Sequence, residues 1–136
     1  MEPPLVAASK QGHLDVVKYL VEKLNADVEV PNKLGQTPLI GAAMRGQLHV
    51  VKYLCEECHA NIEARDARGL TPLNAAAIAT GDLGVIRYLY EDQNANIEAS
   101  DKYGLTPFAN AAYKPHVQNY LNRVLSRNGV SRFSYP

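Results

Sequence analysis

Gly35-Gln36-Thr37-Pro38-Leu39-Ile40-Gly41-Ala42-Ala43-Met44-Arg45-Gly46, followed by Leu48-His49-Val50-Val51-Lys52-Tyr53-Leu54, decides the fold of this chain. Threonine suits a helix N-cap, proline suits the first helical turn, and Gly46 suits a left-handed stop. The string therefore predicts one short helix within residues 37–46. Leu48, Val51, Leu54, Cys55 and Cys58 then recur at three- and four-residue spacing. A second helix is expected to turn that stripe inward and leave Lys52, Glu56 and Glu57 in water.

The same pattern surrounds it on both sides. Pro4, Pro38, Pro72 and Pro107 open successive copies at steps of 34, 34 and 35 residues, and Tyr-Leu recurs at 19, 53 and 88. Leu14, Val17, Leu20, Val21 and Leu24 repeat the second-helix stripe. A period of this size is a solenoid period, because so short a unit cannot bury its own apolar face and must stack on its neighbours. Small residues fill the middle of every first helix: Ala7-Ala8-Ser9, Gly41-Ala42-Ala43, Ala75-Ala76-Ala77 and Asn110-Ala111-Ala112. They permit helix axes to approach to the short end of about 8–10 Å. Between copies, Ala-Asp-Val-Glu at 26–29 and Ala-Asn-Ile-Glu at 60–63 and 95–98 lead into turns ending at Gly35, Gly69 and Gly104. Alternation followed by glycine predicts an extended, hairpin-like connector.

Taken together, Gly-x-Thr-Pro-Leu, Ala-Ala, a glycine, Val-Val-Lys-Tyr-Leu and Ala-Asp/Asn-Val/Ile resemble the ankyrin repeat over residues 3–112. The tetratricopeptide repeat shares the period, but its Trp and Leu-Gly-x-x-Tyr signature is absent. The resemblance implies an all-α solenoid of stacked helix-turn-helix units joined by β-hairpin-like loops. The expected units are residues 3–36, 37–70, 71–105 and 106–129, with a flexible tail at 130–136. Three departures stand out. The histidine that usually follows Thr-Pro-Leu is replaced by Val6, Ile40, Asn74 and Ala109, which removes its usual bond to the threonine. Each unit carries about one extra residue near Glu22-Lys23-Leu24-Asn25 and its equivalents, and the third unit has Ile78-Ala79-Thr80 before Gly81, expected to bulge the inner surface.

Solenoids need polar ends. Val117, Tyr120, Leu121, Val124 and Leu125 form one stripe opposite Gln118, Asn119, Asn122, Arg123 and Ser126, as a capping helix requires. Pro115 replaces the glycine of the other units and predicts an early stop of the helix before it, with Gly129 ending the helix after it. At the front, Leu5, Val6 and Leu14 are expected to lack cover, so a larger complex is expected to shield that end.

Fourteen Lys/Arg balance fourteen Asp/Glu, yet residues 1–101 hold nine basic against fourteen acidic residues, a net charge of −5. Lys102, Lys114, Arg123, Arg127 and Arg132 make the remainder wholly basic. Such asymmetry concerns partners more than fold. No apolar run approaches the roughly 18 residues of a membrane span, the Met-Glu-Pro-Pro start lacks a secretion signal, and two cysteines are too few for a disulfide framework. An intracellular protein, cytoplasmic or nuclear and without membrane contact, is expected.

Cys55-Glu56-Glu57-Cys58-His59 matches the pattern of covalent haem attachment. Its residues align with Val21, Leu24 and Asn25 of the first unit and Tyr90, Gln93 and Asn94 of the third, which are ordinary helix-end positions. One Cys pair with a single His also lacks a fourth zinc ligand, and flanking glutamates disfavour a reactive thiolate. His13, His49 and His116 fit no nucleophile motif, and the glycines form no phosphate-cradling string. No enzyme activity and no cofactor are expected.

The resemblance instead implies partner contacts at the hairpin tips and the exposed ends of the first helices. On this chain those positions are Lys10, Lys33, Leu34, Met44, Arg45, Arg68, Ile78, Lys102, Tyr103, Tyr113 and Lys114. They hold no acid, whereas Glu22, Glu56, Glu57, Glu91 and Asp92 fall on the second helices. The reading is a protein-binding scaffold whose concave, basic face takes an acidic partner surface. The alternative is an RNA-contacting subunit of a larger assembly, suggested by Tyr113, Tyr120, Phe133 and Tyr135 among the C-terminal basic residues.

Overall fold

The computed structural model describes residues 2–128, so the expected stop at Gly129 and the tail at 130–136 lie outside the described residues. The fold is a row of four helix pairs. They are α1 (Pro4–Gln11) with α2 (Leu14–Glu22), α3 (Pro38–Met44) with α4 (Leu48–Glu56), α5 (Pro72–Ala79) with α6 (Leu83–Arg87), and α7 (Pro107–Asn110) with α8 (Pro115–Arg127). A π-helical turn at Tyr88–Asp92 continues α6. No strand occurs among the described residues.

The helix starts follow from the Thr-Pro step. Thr37, Thr71 and Thr106 Oγ1 accept the amides of Ile40, Asn74 and Ala109 at 3.3, 3.2 and 3.4 Å. The residues that replace the family histidine thus occupy the threonine hydroxyl through their backbone. Gly12, Gly46 and Gly81 close the first three inner helices with φ of 75°, 72° and 65°. In the fourth pair α7 stops after four residues, as Pro115 predicts.

The inner helices pack in sequence, α1 on α3, α3 on α5 and α5 on α7, with α4 placed between α2 and α6. Ala42, Ala43, Ala75, Ala76, Ala77 and Ala111 are fully buried in that row. The outer-helix stripe is wider than its spacing predicts, because Val50 and Tyr53 are buried beside Val51, Leu54 and Cys55. A helix inside a stack is covered on two flanks as well as below, so a three-and-four stripe underestimates what it buries.

The front end differs from expectation. Leu5 and Val6 are buried and Leu14 is half-buried against the core, and Val6 lies against Gly41 of α3. The uncovered apolar surface lies instead on the outer side of the first pair, at Val16 (46% exposed) and Tyr19 (56%) of α2 and at Leu24 (58%) in the turn after it. At the other end Val117, Tyr120, Leu121, Val124 and Leu125 are buried as predicted.

The extra residue of each copy has a structural role. Outer helices end in wide turns, with the amides of Leu24, Cys58 and Gln93 bonded to the carbonyls of Tyr19, Tyr53 and Tyr88, five residues back. Asn25, His59 and Asn94 then reverse the chain at φ of 53°, 53° and 57°. In the third pair the insertion brings the Gly81 amide to the Ala76 carbonyl at 2.8 Å and leaves Ile78 exposed.

Candidate functional site

The hairpin-like loops are built by one polar side chain each. Asn32, Asp66 and Asp101 Oδ1 each accept two amides of their own loop, those of Leu34 and Gln36, Arg68 and Leu70, and Tyr103 and Leu105. Backbone bonds from Asn32 to Gln36, Asp66 to Leu70 and Asp101 to Leu105 close the loops. Neighbouring tips are tied together, Ala67 N to Leu34 O at 2.9 Å and Lys102 N to Arg68 O at 3.0 Å. Gly69 makes the second contact possible, because its φ is 79° and a Cβ there would lie 2.7 Å from Lys102 N.

The tips therefore stand as a row carrying Lys33 and Leu34, then Arg68, then Lys102 and Tyr103. Leu34, Tyr103 and Tyr113 are exposed by 62%, 70% and 96%, Ile78 is exposed and Met44 half-buried. Lys33, Arg45, Arg68 and Lys102 are exposed as well.

Their charges are not equally available. Lys10 Nζ pairs with Glu2 at 3.0 Å, and Glu2 also accepts from Asn32 Nδ2 at 2.7 Å. The Asn32 bond, then Lys10, hold the Glu2 carboxyl below its ordinary range against the opposing effect of burial. Glu2 thus adds an acid to a surface on which the sequence reading places none. Arg68 lies 3.6 Å from Asp66, and Lys114 Nζ donates to the Ile78 carbonyl at 2.8 Å. Lys102 Nζ sits 5.3 Å above the Tyr103 ring. Lys33, Arg45 and Lys102 make no ion pair among the described residues.

Below the tips, Asn74 Nδ2 donates to the Ala99 carbonyl at 2.8 Å and Asn74 Oδ1 accepts from Asn110 Nδ2 at 3.0 Å. This buried chain fixes the third connector and the fourth pair to α5. It uses the very position where the family histidine is missing.

The outer face holds an arrangement that the sequence reading missed. Tyr53, Tyr88 and Tyr120 donate to Glu22, Glu56 and Glu91 of the preceding pair at 2.7, 2.5 and 2.5 Å. Lys18, Lys52 and Arg87 lie 5.7, 5.7 and 5.6 Å above the same three rings. Each joint is one tyrosine held by a cation and a carboxylate four residues apart on the helix before it. Burial first, then the carboxylate bond, push all three phenols well above the ordinary tyrosine value. The Tyr120 bond, ahead of Arg87, holds the Glu91 carboxyl down. The signal was available in Lys18-Tyr19-Leu20-Val21-Glu22, Lys52-Tyr53-Leu54-Cys55-Glu56 and Arg87-Tyr88-Leu89-Tyr90-Glu91.

Neither cysteine is equipped as a nucleophile. Burial, then Glu56 and Cys58, push the Cys55 thiol up to about 12, and burial raises Cys58. His116 Nε2 lies 2.9 Å from the Gly81 carbonyl. Among the described residues no three His, Cys, Asp or Glu converge as metal ligands, and no helix is long and apolar enough to cross a membrane.

Comparison with known proteins agrees with this geometry. The family model described as ankyrin repeats (3 copies) matches residues 2–66, and that described as ankyrin repeat matches residues 68–102. No curated protein matches the chain. Ankyrin repeats are generic protein-interaction modules, generally without catalytic activity. With four stacked helix pairs, tied hairpin tips and family matches over most of its length, the chain belongs to the ankyrin repeat family.

Proposed function

We propose that this protein is a non-catalytic scaffold that holds an acidic protein surface against its hairpin tips and inner-helix ends. The observation that carries the reading is one exposed row in which apolar anchors alternate with cations that have no ion-pair partner among the described residues. Leu34 and Tyr103 adjoin Lys33 and Lys102 in the chain, Met44 adjoins Arg45, and Ile78 is exposed on the next inner helix. Large side chains beside charges are the usual composition of a binding hot spot. The carboxylates Glu22, Glu56 and Glu91 lie on the outer helices, where they are engaged by tyrosines and stand beside Lys18, Lys52 and Arg87, so they are not partners of the tip cations. The uncovered front end gives such a scaffold a second contact inside a larger complex. Cys55 and Cys58 are free thiols, in keeping with a cytoplasmic or nuclear setting.

The test begins with cross-linking mass spectrometry of the tagged protein in native extract to identify the partner. Binding of that purified partner is then compared between the natural chain and a variant carrying Lys33→Glu, Arg45→Glu, Arg68→Glu and Lys102→Glu. Affinity is expected to fall at least tenfold while the melting temperature is kept. Unchanged affinity removes this face from consideration. RNA is the competing reading: binding of a single-stranded RNA that weakens steeply with salt would replace the acidic protein partner.

A further inference from the structure

We propose that the cavity between the third and fourth pairs on the outer face is a phosphate-recognition site that takes one phosphorylated side chain of a partner polypeptide. It lies apart from the hairpin tips and does not depend on their cations.

The cavity has a volume of about 180 Å³ and is lined by Arg87, Glu91, Tyr120, Arg123, Val124 and Arg127. Tyr120 and Val124 are buried, and the three arginines are exposed around them. The earlier joints lack this arrangement. The position of Arg123, three residues after the joint tyrosine, holds Glu22, Glu56 and Glu91 in the other pairs. Moreover, α2 and α4 end at that position, whereas α8 continues to Arg127. The added turn sets a second guanidinium four residues from the first, on the same helix face.

Arg87 is held ready for a ligand. Its Nε donates to Glu91 at 3.3 Å and its guanidinium lies 5.6 Å from the centre of the Tyr120 ring, which leaves both terminal nitrogens without a partner among the described residues. Arg123 and Arg127 make no ion pair among the described residues. The Glu91 carboxyl, held low first by the Tyr120 bond and then by Arg87, is lowered further by Arg127, so that guanidinium too stands within reach of the same carboxylate.

Three guanidiniums against one carboxylate leave two positive charges at one spot. That matches a phosphate monoester, which carries about −1.5 to −2 at pH 7, whereas a carboxylate ligand would leave one charge unmatched. Guanidinium forks also pair bidentately with phosphate oxygens. The volume is below the roughly 300 Å³ at which small-molecule sites begin, so the cavity suits one phosphoryl group and not a nucleotide. The excess charge is local as well, because the next groove along the outer face mixes Lys52 and Arg87 with Glu91 and Asp92. A nucleic-acid strand or an anionic bilayer needs a continuous run of cations. A phosphorylated side chain needs only one cluster of arginines.

The experiment incubates the full chain with an array of phosphoserine, phosphothreonine and phosphotyrosine peptides and their unphosphorylated twins. Only phosphorylated peptides are expected to bind. Fluorescence anisotropy of a bound peptide should show affinity falling at least about tenfold in the Arg123→Gln, Arg127→Gln double variant. Inorganic phosphate should compete, and dimethyl phosphate, a singly charged diester, should not. Amide shifts in the natural chain on adding the peptide are expected at Tyr120, Arg123 and Val124, a readout that does not depend on how the double variant folds. The proposal is overturned if no phosphopeptide binds, if the unphosphorylated twins bind equally, if the double variant binds as the natural chain does, or if the shifts fall elsewhere. It is also overturned if single-stranded RNA or phosphatidylserine vesicles bind through Arg123 and Arg127 more tightly than the peptide, or if inorganic phosphate binds as tightly. The Lys33→Glu, Arg45→Glu, Arg68→Glu, Lys102→Glu variant should keep phosphopeptide binding, and loss of binding there assigns the peptide to the hairpin tips and overturns this site. Failure here leaves the concave-face reading intact.

Discussion

Tyr88→Phe isolates the strength of the outer-face joints, because it removes one hydroxyl and keeps the ring. The ring is only 6% exposed and Lys52 stays 5.7 Å above it, so packing and the cation contact survive the change. What is lost is the 2.5 Å bond to Glu56 and the 3.0 Å bond that the hydroxyl accepts from Gln93 Nε2, whose amide is half-buried and returns to water. A hydrogen bond to a charged acceptor contributes about 1.5–3 kcal/mol. Glu56 is exposed and recovers water when the hydroxyl is gone, which brings the expected loss down to about 1 kcal/mol. For a domain of this length that is a fall of roughly 3–5 °C in the melting midpoint. Tyr53→Phe and Tyr120→Phe should behave alike, since each hydroxyl bonds a glutamate of the preceding pair. Tyr19→Phe is the internal control: same residue, same repeat position, hydroxyl in water, and an expected change within about 0.3 kcal/mol. Thermal and urea melts followed by circular dichroism, with constant m-values, measure all four. The reasoning is refuted if Tyr19→Phe costs as much as Tyr88→Phe, or if the three bonded positions prove neutral.

Three further outcomes are expected. Because Tyr53, Tyr88 and Tyr120 titrate higher in the folded chain, their stabilisation is fully present below the ordinary tyrosine value of about 10. It is lost as pH rises through the folded values, and melts between pH 8 and 11.5 should show a decline that is shallower above about 10 in the triple Phe variant, where only the raised Cys55 and Cys58 thiols still contribute. Gly69→Ala forces a left-handed backbone on an L-residue and drives its Cβ to 2.7 Å from Lys102 N, so it should destabilise by more than about 1 kcal/mol and speed exchange at Lys102. Cys55 should resist thiol reagents at pH 8 until the chain unfolds, read by mass spectrometry of timed alkylation, because burial holds its thiol at about 12.

The fold was legible because its signals are local. A threonine before a proline caps its own helix, and a glycine at positive φ ends it, so Thr37 and Gly46 mark the inner helix without knowledge of anything else in the chain. Val50 and Tyr53 were not legible as core, since their burial comes from neighbours about 34 residues away and not from the helix they sit on. Glu2 was hidden for a similar reason, since it folds onto Lys10, 8 residues on, and Asn32, 30 residues on, and partly neutralises a surface whose tip residues are otherwise basic. Of the candidate partner-binding residues, the structure keeps Lys33, Arg45 and Lys102 free of ion pairs among the described residues and gives Lys10, Arg68 and Lys114 internal partners. That difference depends on which side chain lies opposite, which spacing along one helix does not encode.

The tyrosine joints also give the stack a direction. Lysine or arginine and glutamate act forward, on the tyrosine of the following pair, while each tyrosine acts backward. In the last pair the backward element survives as Tyr120, but the forward elements are replaced by Asn119 and Arg123. The first pair keeps both: Lys18 and Glu22 engage Tyr53, and Tyr19 faces water. Each joint is therefore asymmetric, with the cation and the carboxylate on the earlier pair and the phenol on the later one.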